Sequence, residues 1–202
     1  MKPPRLLLCA LLAAGLSACG ASPATRYHTL AAPSGPAAGG GAERLVEVLP
    51  VALPGRADRA ALVLSRADGS LEVRDADRWA GPLAEELRAV IDAALWRAAR
   101  AADVYAAPLP GSALPQYRLA ARIDRFDAVP GGSATVEASW TLRRLPKGAS
   151  AACRAAFSAP LAGDSADAAA AALAAASRRL ADAMADSLIR LESGEPPCAG
   201  VR

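Results

Sequence analysis

Cysteine is the residue type with the clearest chemistry in this chain, because Cys19 closes the run Leu16-Ser17-Ala18-Cys19 behind a basic start and an apolar stretch. Lys2 and Arg5 form the positive segment, Leu6 to Leu16 the apolar one, and Ser17 and Ala18 are the small residues that precede a cleavage site. The pattern points to transfer of a diacylglycerol to the Cys19 sulfur, cleavage before Cys19, and acylation of the new amino group with a chain such as palmitate. The apolar stretch is too short for a spanning helix. Several acyl chains hold far better than one, since each buried methylene is worth about 0.8 kcal/mol. An ordinary secretory signal ending near a cysteine is the competing reading. Gly20 and Ala21 follow the cysteine where an Asp would signal inner-membrane retention, so the expected address is the periplasmic face of the outer membrane.

The remaining chemistry is sparse. Cys9 leaves with the signal, which leaves Cys153 and Cys198 as a pair in an oxidising compartment, where a disulfide pinning the Pro196-Pro197-Cys198 tail is expected. The alternative is a buried Cys153 and a frayed terminal thiol. Two thiols without matching histidines make no tetrahedral zinc site. The single histidine, His28, stands far in sequence from any acidic cluster, which removes the usual general base. Asp75 and Asp77 invite a reading as paired carboxylates, but their place before a helix favours capping by Asp77. Arg143-Arg144 and Arg178-Arg179 read as solvated faces, with anionic headgroups or an acidic partner as the functional alternative. There is no Gly-rich phosphate loop, no Gly-x-Ser-x-Gly elbow, no His-Glu-x-x-His and no calcium loop, so neither an enzyme nor a metal or cofactor site is expected. The formal charge of +3 falls by two once Lys2 and Arg5 are removed, leaving no basic footprint for nucleic acid.

The elements that must carry these residues follow from periodicity. Residues 1–18 read as the signal peptide and residues 19–42, with Pro23, Pro33, Pro36 and Gly39-Gly40-Gly41, as a lipidated cysteine and tether able to reach about 75 Å when extended. Within it, Arg26 to Leu30 is an island of strand formers, either an edge strand or a stiffer part of the linker. The full chain is 53% hydrophobic with few aromatics; residues 43–195 form one domain and residues 196–202 a tail. Leu45 to Leu49 reads as a first strand, and Leu62–Ser65 with Leu71–Arg74 as a hairpin around Asp68-Gly69. Trp79, Leu83, Leu87, Val90, Ile91, Ala94 and Leu95 recur at helical spacing, with Pro82 in the first turn and Glu85 and Glu86 near the positive end of the macrodipole. A short strand near Val104-Tyr105 is followed by a meander over Tyr117–Phe126, Thr135–Leu142 and Ala152–Ala159. In the first of these, Tyr117, Leu119, Ala121, Ile123 and Arg125 share a face. The last helix runs from about Ser165 to Leu191 with the stripe Leu173, Leu180, Met184, Leu188 and Leu191. Its alanine run, 168–172, reads as high helix propensity more than as a packing seam. The fold class is α/β: a mixed, largely antiparallel sheet flanked by two main helices, after a signal peptide and flexible tether.

The chain resembles the ABC-type transport auxiliary lipoproteins, the PqiC/YmbA-like family. The likeness rests on Tyr27-His28-Thr29-Leu30, on Val48 to Pro54 followed by Asp58-Arg59, on Asp77-Arg78-Trp79-Ala80-Gly81-Pro82-Leu83, and on Leu119 to Asp127 leading to a strand with Trp140. The departures are His28 where an aromatic is common, Gly81 where an acidic residue is common, and Arg56-Ala57 where a Tyr-Leu pair is often seen. The resemblance implies a compact α/β body and no ATPase of its own. It also implies a role beside a transporter carrying an MCE (mammalian cell entry) periplasmic protein, moving lipids between the two membranes. The expected partners are that MCE protein, outer-membrane lipid through Cys19, and further copies of the chain. Arg56, Asp58, Arg59 and Trp79 are the candidate docking residues, against a local Asp58–Arg59 ion pair and a packed Trp79. Competing functions are an activator or scaffold for cell-wall synthesis or outer-membrane assembly, and direct carriage of lipid, which requires an internal apolar cavity.

Overall fold

The computed structural model describes residues 24–31, 39–66, 68–105 and 108–199, so the signal peptide, Cys19 and much of the expected tether lie outside the described residues. Among the described residues the order is β1 (Arg26–His28), β2 (Arg44–Val48), β3 (Ala61–Ser65), β4 (Leu71–Trp79), α1 (Leu83–Ala99), β5 (Ala101–Asp103), β6 (Gln116–Ala128), β7 (Ser133–Arg144), β8 (Ser150–Pro160) and α2 (Ala166–Ser193). This is the α/β domain with two main helices that the periodicity predicts. Its strands divide into two sheets, β1-β4-β3 and β5-β2-β6-β7-β8, where a single sheet was expected.

β2 lies parallel between β5 and β6, which buries Leu45, Val46 and Val48 together, because a central parallel strand has both faces covered. β6, β7 and β8 form the antiparallel meander. Its inward residues Leu119, Ile123, Val136, Trp140 and Leu142 are buried, while Arg118, Arg122, Arg143 and Arg154 stand outward. The alternation expected along β6 holds only to Ile123. A bulge between Ile123 and Arg125 adds a residue, so Arg125 turns to solvent and Phe126 and Ala128 turn inward.

Helix α2 packs on β6, β7 and β8 and against α1. Ser165 caps it, accepting from the Ala168 amide at 3.1 Å, and the expected leucine and methionine stripe is buried. Ala169, Ala170, Ala172, Ala174, Ala176, Ala181 and Ala185 are buried as well, so the alanines form a close-packing surface rather than an accident of composition. An Arg97–Asp182 ion pair joins the two helices on their exposed side. At the far end of α2, Glu192 accepts from Arg44 Nε at 2.5 Å and from the Tyr117 hydroxyl at 3.2 Å, tying the helix to β2 and β6. Cys153 and Cys198 are bridged, and the tail is pinned to β8.

Two local expectations are corrected. Trp79 and Asp77 belong to β4, and α1 begins at Leu83 with Pro82 at its N-cap and no side-chain cap. The sheet ladder overrides capping here: the Trp79 amide donates to the Ala60 carbonyl and the Ala80 amide to that of His28, both at 2.8 Å. The short strand after α1 sits at Ala101–Asp103 rather than at Val104-Tyr105. Arg100 adopts a left-handed conformation, φ 50°, and so turns the chain straight from the helix into β5. On α1, burial pushes the Asp92 carboxyl above its usual range; the nearby Asp103 charge adds to this and Arg88 opposes it.

Candidate functional site

Of the residues that carry the family likeness, Tyr27 to Leu30, Asp58-Arg59 and Asp77 to Leu83 meet at one end of the three-stranded sheet. β1 is short, and in a strand Arg26 and His28 share one side while Tyr27 takes the other. β1 pairs parallel with β4, setting Arg26 opposite Asp77, Tyr27 opposite Arg78 and His28 opposite Trp79. The island Arg26–Leu30 is therefore the docked edge strand of the two readings.

On the inner side, Asp77 accepts from His28 Nε2 at 3.0 Å and pairs with Arg26 Nη2 at 2.8 Å, its side chain only 6% exposed. Asp167, in the first turn of α2, pairs with Arg26 Nη1 at 3.1 Å and lies 3.7 Å from His28 Nδ1. Glu86, in the first turn of α1, then takes over: the Thr29 hydroxyl donates to it at 2.6 Å and the Leu30 amide at 3.0 Å. Leu30 is fully buried. Each helix thus offers the strap a carboxylate from its first turn, where acidic side chains are favoured by the macrodipole.

This cluster corrects two expectations. Asp77 holds the strap instead of capping α1, and His28 meets carboxylates after all, because the parallel pairing closes 49 residues of sequence separation. Both ring nitrogens of His28 are turned to carboxylates and neither to the neighbouring groove. The arrangement is a clasp, built to hold chain. Where the family commonly carries an aromatic, this chain gains a hydrogen bond to Asp77. The signal that could have found it was the Arg26-x-His28 alternation facing an equally spaced acid. Among the described residues, no group of three or more His, Cys, Asp or Glu side chains is placed to hold a metal ion.

On the outer side lies an open groove lined by Tyr27, Asp58, Arg59, Arg78 and Pro82. Tyr27 is 68% exposed, and Asp58, Arg59 and Arg78 are exposed as well. The expected docking residues separate. Trp79 is only 4% exposed, packed edge-on against Phe126 at 5.9 Å, so it supports the floor of the groove and presents little to a partner. Arg56 reaches away to Asp127 at 3.1 Å, a buried carboxylate that also receives Arg125. Asp58 and Arg59 do not pair with each other; the loop is held instead by backbone bonds from Ala57 and Asp58 to Pro54 and from Arg59 to Ala57. The enclosed cavity beneath Trp79, between Ala57, Leu62, Leu83 and Phe126, offers about 10 Å³, room for one water. It gives no bed for an acyl chain.

Residues 28–185 match a family model described as an ABC-type transport auxiliary lipoprotein component. The chain belongs to the ABC-type transport auxiliary lipoprotein family. The matched region of this auxiliary lipoprotein opens at His28, inside the strap. The fold is similar to the crystal structure of an uncharacterized protein, with a TM-score of 0.67 and 19% identity over 82% of this chain and 99% of that one. It is also similar to protein XCC0632 from Xanthomonas campestris, with a TM-score of 0.59 and 19% identity over 84% and 96% of the two chains. No curated protein matches the chain in sequence. Among the described residues no helix is long and apolar enough to cross a membrane.

Proposed function

We propose that this auxiliary lipoprotein docks an MCE-type ABC lipid-transport assembly at the periplasmic face of the outer membrane, without catalysis of its own. The lipidated Cys19 holds it there, its partner is the MCE-domain periplasmic protein, and it works as a homo-oligomer. The observation that supports this most is the clasp. The segment just after the proposed lipid anchor is built into the fold by three carboxylates, Asp77, Asp167 and Glu86, so an anchored chain holds a positioned body rather than a body on a loose string. A role in positioning fits an auxiliary component.

Mild crosslinking in cells, followed by purification from detergent, tests the proposal. Recovery of the transporter's MCE protein is the expected result. Recovery of a cell-wall synthase, or of no envelope protein, would overturn it.

A further inference from the structure

The leash between membrane and body is much shorter than the Pro/Gly-rich composition implies. Because the chain is clasped from Arg26 onward, only the seven steps from Cys19 to Arg26 can stretch, a reach of about 25 Å instead of about 75 Å. The body is longer than that. β6 runs from Gln116, where the Leu145 amide ties down the β7–β8 turn at 2.8 Å, to Phe126 beneath Trp79, a span of about 33 Å at strand rise. A body tethered at the Trp79 end on a leash shorter than its own length keeps that end toward the bilayer and the Lys147 turn away from it.

The rim at the tethered end has matching chemistry. Arg59 and Arg78 are exposed and, among the described residues, neither has a carboxylate within ion-pair distance; the same holds for Arg143 and Arg144 at the Lys147 end, so the short leash, and not charge alone, decides which end faces the bilayer. Tyr27 lines the same groove, a ring with an apolar body and a polar tip of the kind that settles at headgroup level. Asp58 is the only acid lining the same groove, so its charge is positive.

We propose that the rim formed by Tyr27, Arg59 and Arg78 lies against the anionic phosphate headgroups of the membrane in which Cys19 is anchored, fixing the orientation of the body. This rests on the lipidation of Cys19 and deepens the anchoring part of the proposed function. The partner protein then meets the end that carries the Lys147 turn.

The mature lipidated chain can test it, because Cys19 is blocked by lipid and Cys153 and Cys198 by their bridge, so one introduced cysteine is the sole reactive thiol. Ala80→Cys on the rim and Lys147→Cys at the far turn are each labelled with a fluorophore. Both proteins are reconstituted in vesicles of phosphatidylglycerol and phosphatidylethanolamine containing a headgroup-spin-labelled quencher. Flotation with the vesicles is measured first, and a chain that does not float overturns the anchor and this proposal together. For a chain that floats, strong quenching at position 80, little at position 147, and weaker quenching at 80 in phosphatidylcholine vesicles are expected. Arg59→Glu with Arg78→Glu should reduce quenching at position 80 by about fivefold or more while flotation persists, since each arginine near an anionic surface is worth about a factor of five. Equal quenching at the two positions overturns the proposal while leaving the anchor standing. So does a double variant that keeps full quenching, including one that loses an acidic protein partner instead.

Discussion

In β7, Val136, Ala138, Trp140 and Leu142 are buried to 2% exposure or less, whereas in β4 Leu71 and Val73 stand 48% and 41% exposed. The five-stranded sheet is sealed by α1 and α2 and holds by apolar burial, which is non-directional and grows with area. The three-stranded rim is thin, and its outermost strand has three residues held by ion pairs at Asp77 and Asp167 and by the carboxylate of Glu86. The difference separates two jobs. The layer gives the body its stability, and the rim holds the strap Arg26–Leu30 to it. Damage to the first should unfold the protein; damage to the second should lengthen the leash and leave the body standing.

Trp140→Ala should therefore have the largest effect, about 3–5 kcal/mol, seen as a cooperative fall in Tm, because a fully buried ring in the dry layer leaves a cavity. Replacing Cys153 and Cys198 together by Ser should cost about 2–4 kcal/mol, because the bridge closes a sequence separation of 45 residues in the unfolded chain. Thermal unfolding with and without reductant checks this, the variant matching the reduced parent. Asp77→Ala should cost about 1–3 kcal/mol, localised to the strap, because it removes the buried acceptor of both Arg26 and His28. Limited trypsin digestion should then cut after Arg26 while hydrogen exchange in β6 and β7 stays slow. Loss of protection in β7 would mean that the two regions are one cooperative unit.

The smallest effect is in the body. Because Asp92 binds its proton more tightly when folded, its contribution to stability is intact below the unfolded value of 3.8 and is lost as pH rises through the higher folded value. Asp92→Asn should raise Tm at neutral pH and leave it unchanged at pH well below 3.8.

The layer was the legible part of the sequence. The Val46/Val48 alternation of β2, the Asp68-Gly69 hairpin and the leucine stripe of α2 each carry their own signal, so they could be placed without knowing their neighbours. The bulge in β6 was not legible because it depends on how β6 meets β7, and the phase of the pattern changes without any Gly or Pro to mark it. The clasp was hidden for a related reason. Asp77 looked like a cap because it precedes a helix, and only a long-range parallel pairing with β1 reassigns it. Arg56, Asp58, Arg59 and Trp79 read as one docking cluster in sequence, yet the fold turns Arg56 toward Asp127, buries Trp79 and leaves only Asp58 and Arg59 in the groove with Tyr27. Family resemblance was legible because its residues recur in order, although the groove where they meet is formed only by folding.

If this auxiliary lipoprotein works, as proposed, by holding a positioned body at its membrane, Cys19→Ser removes the anchor and spares the body. The variant is exported through an ordinary cleavable signal, and recovery of the proposed MCE partner by crosslinking is compared with the parent at equal periplasmic levels. A folded body with parental Tm, no lipid, and loss of the crosslinked partner are expected. A soluble form that recovers the partner and supports transport as well as the parent would contradict the proposal.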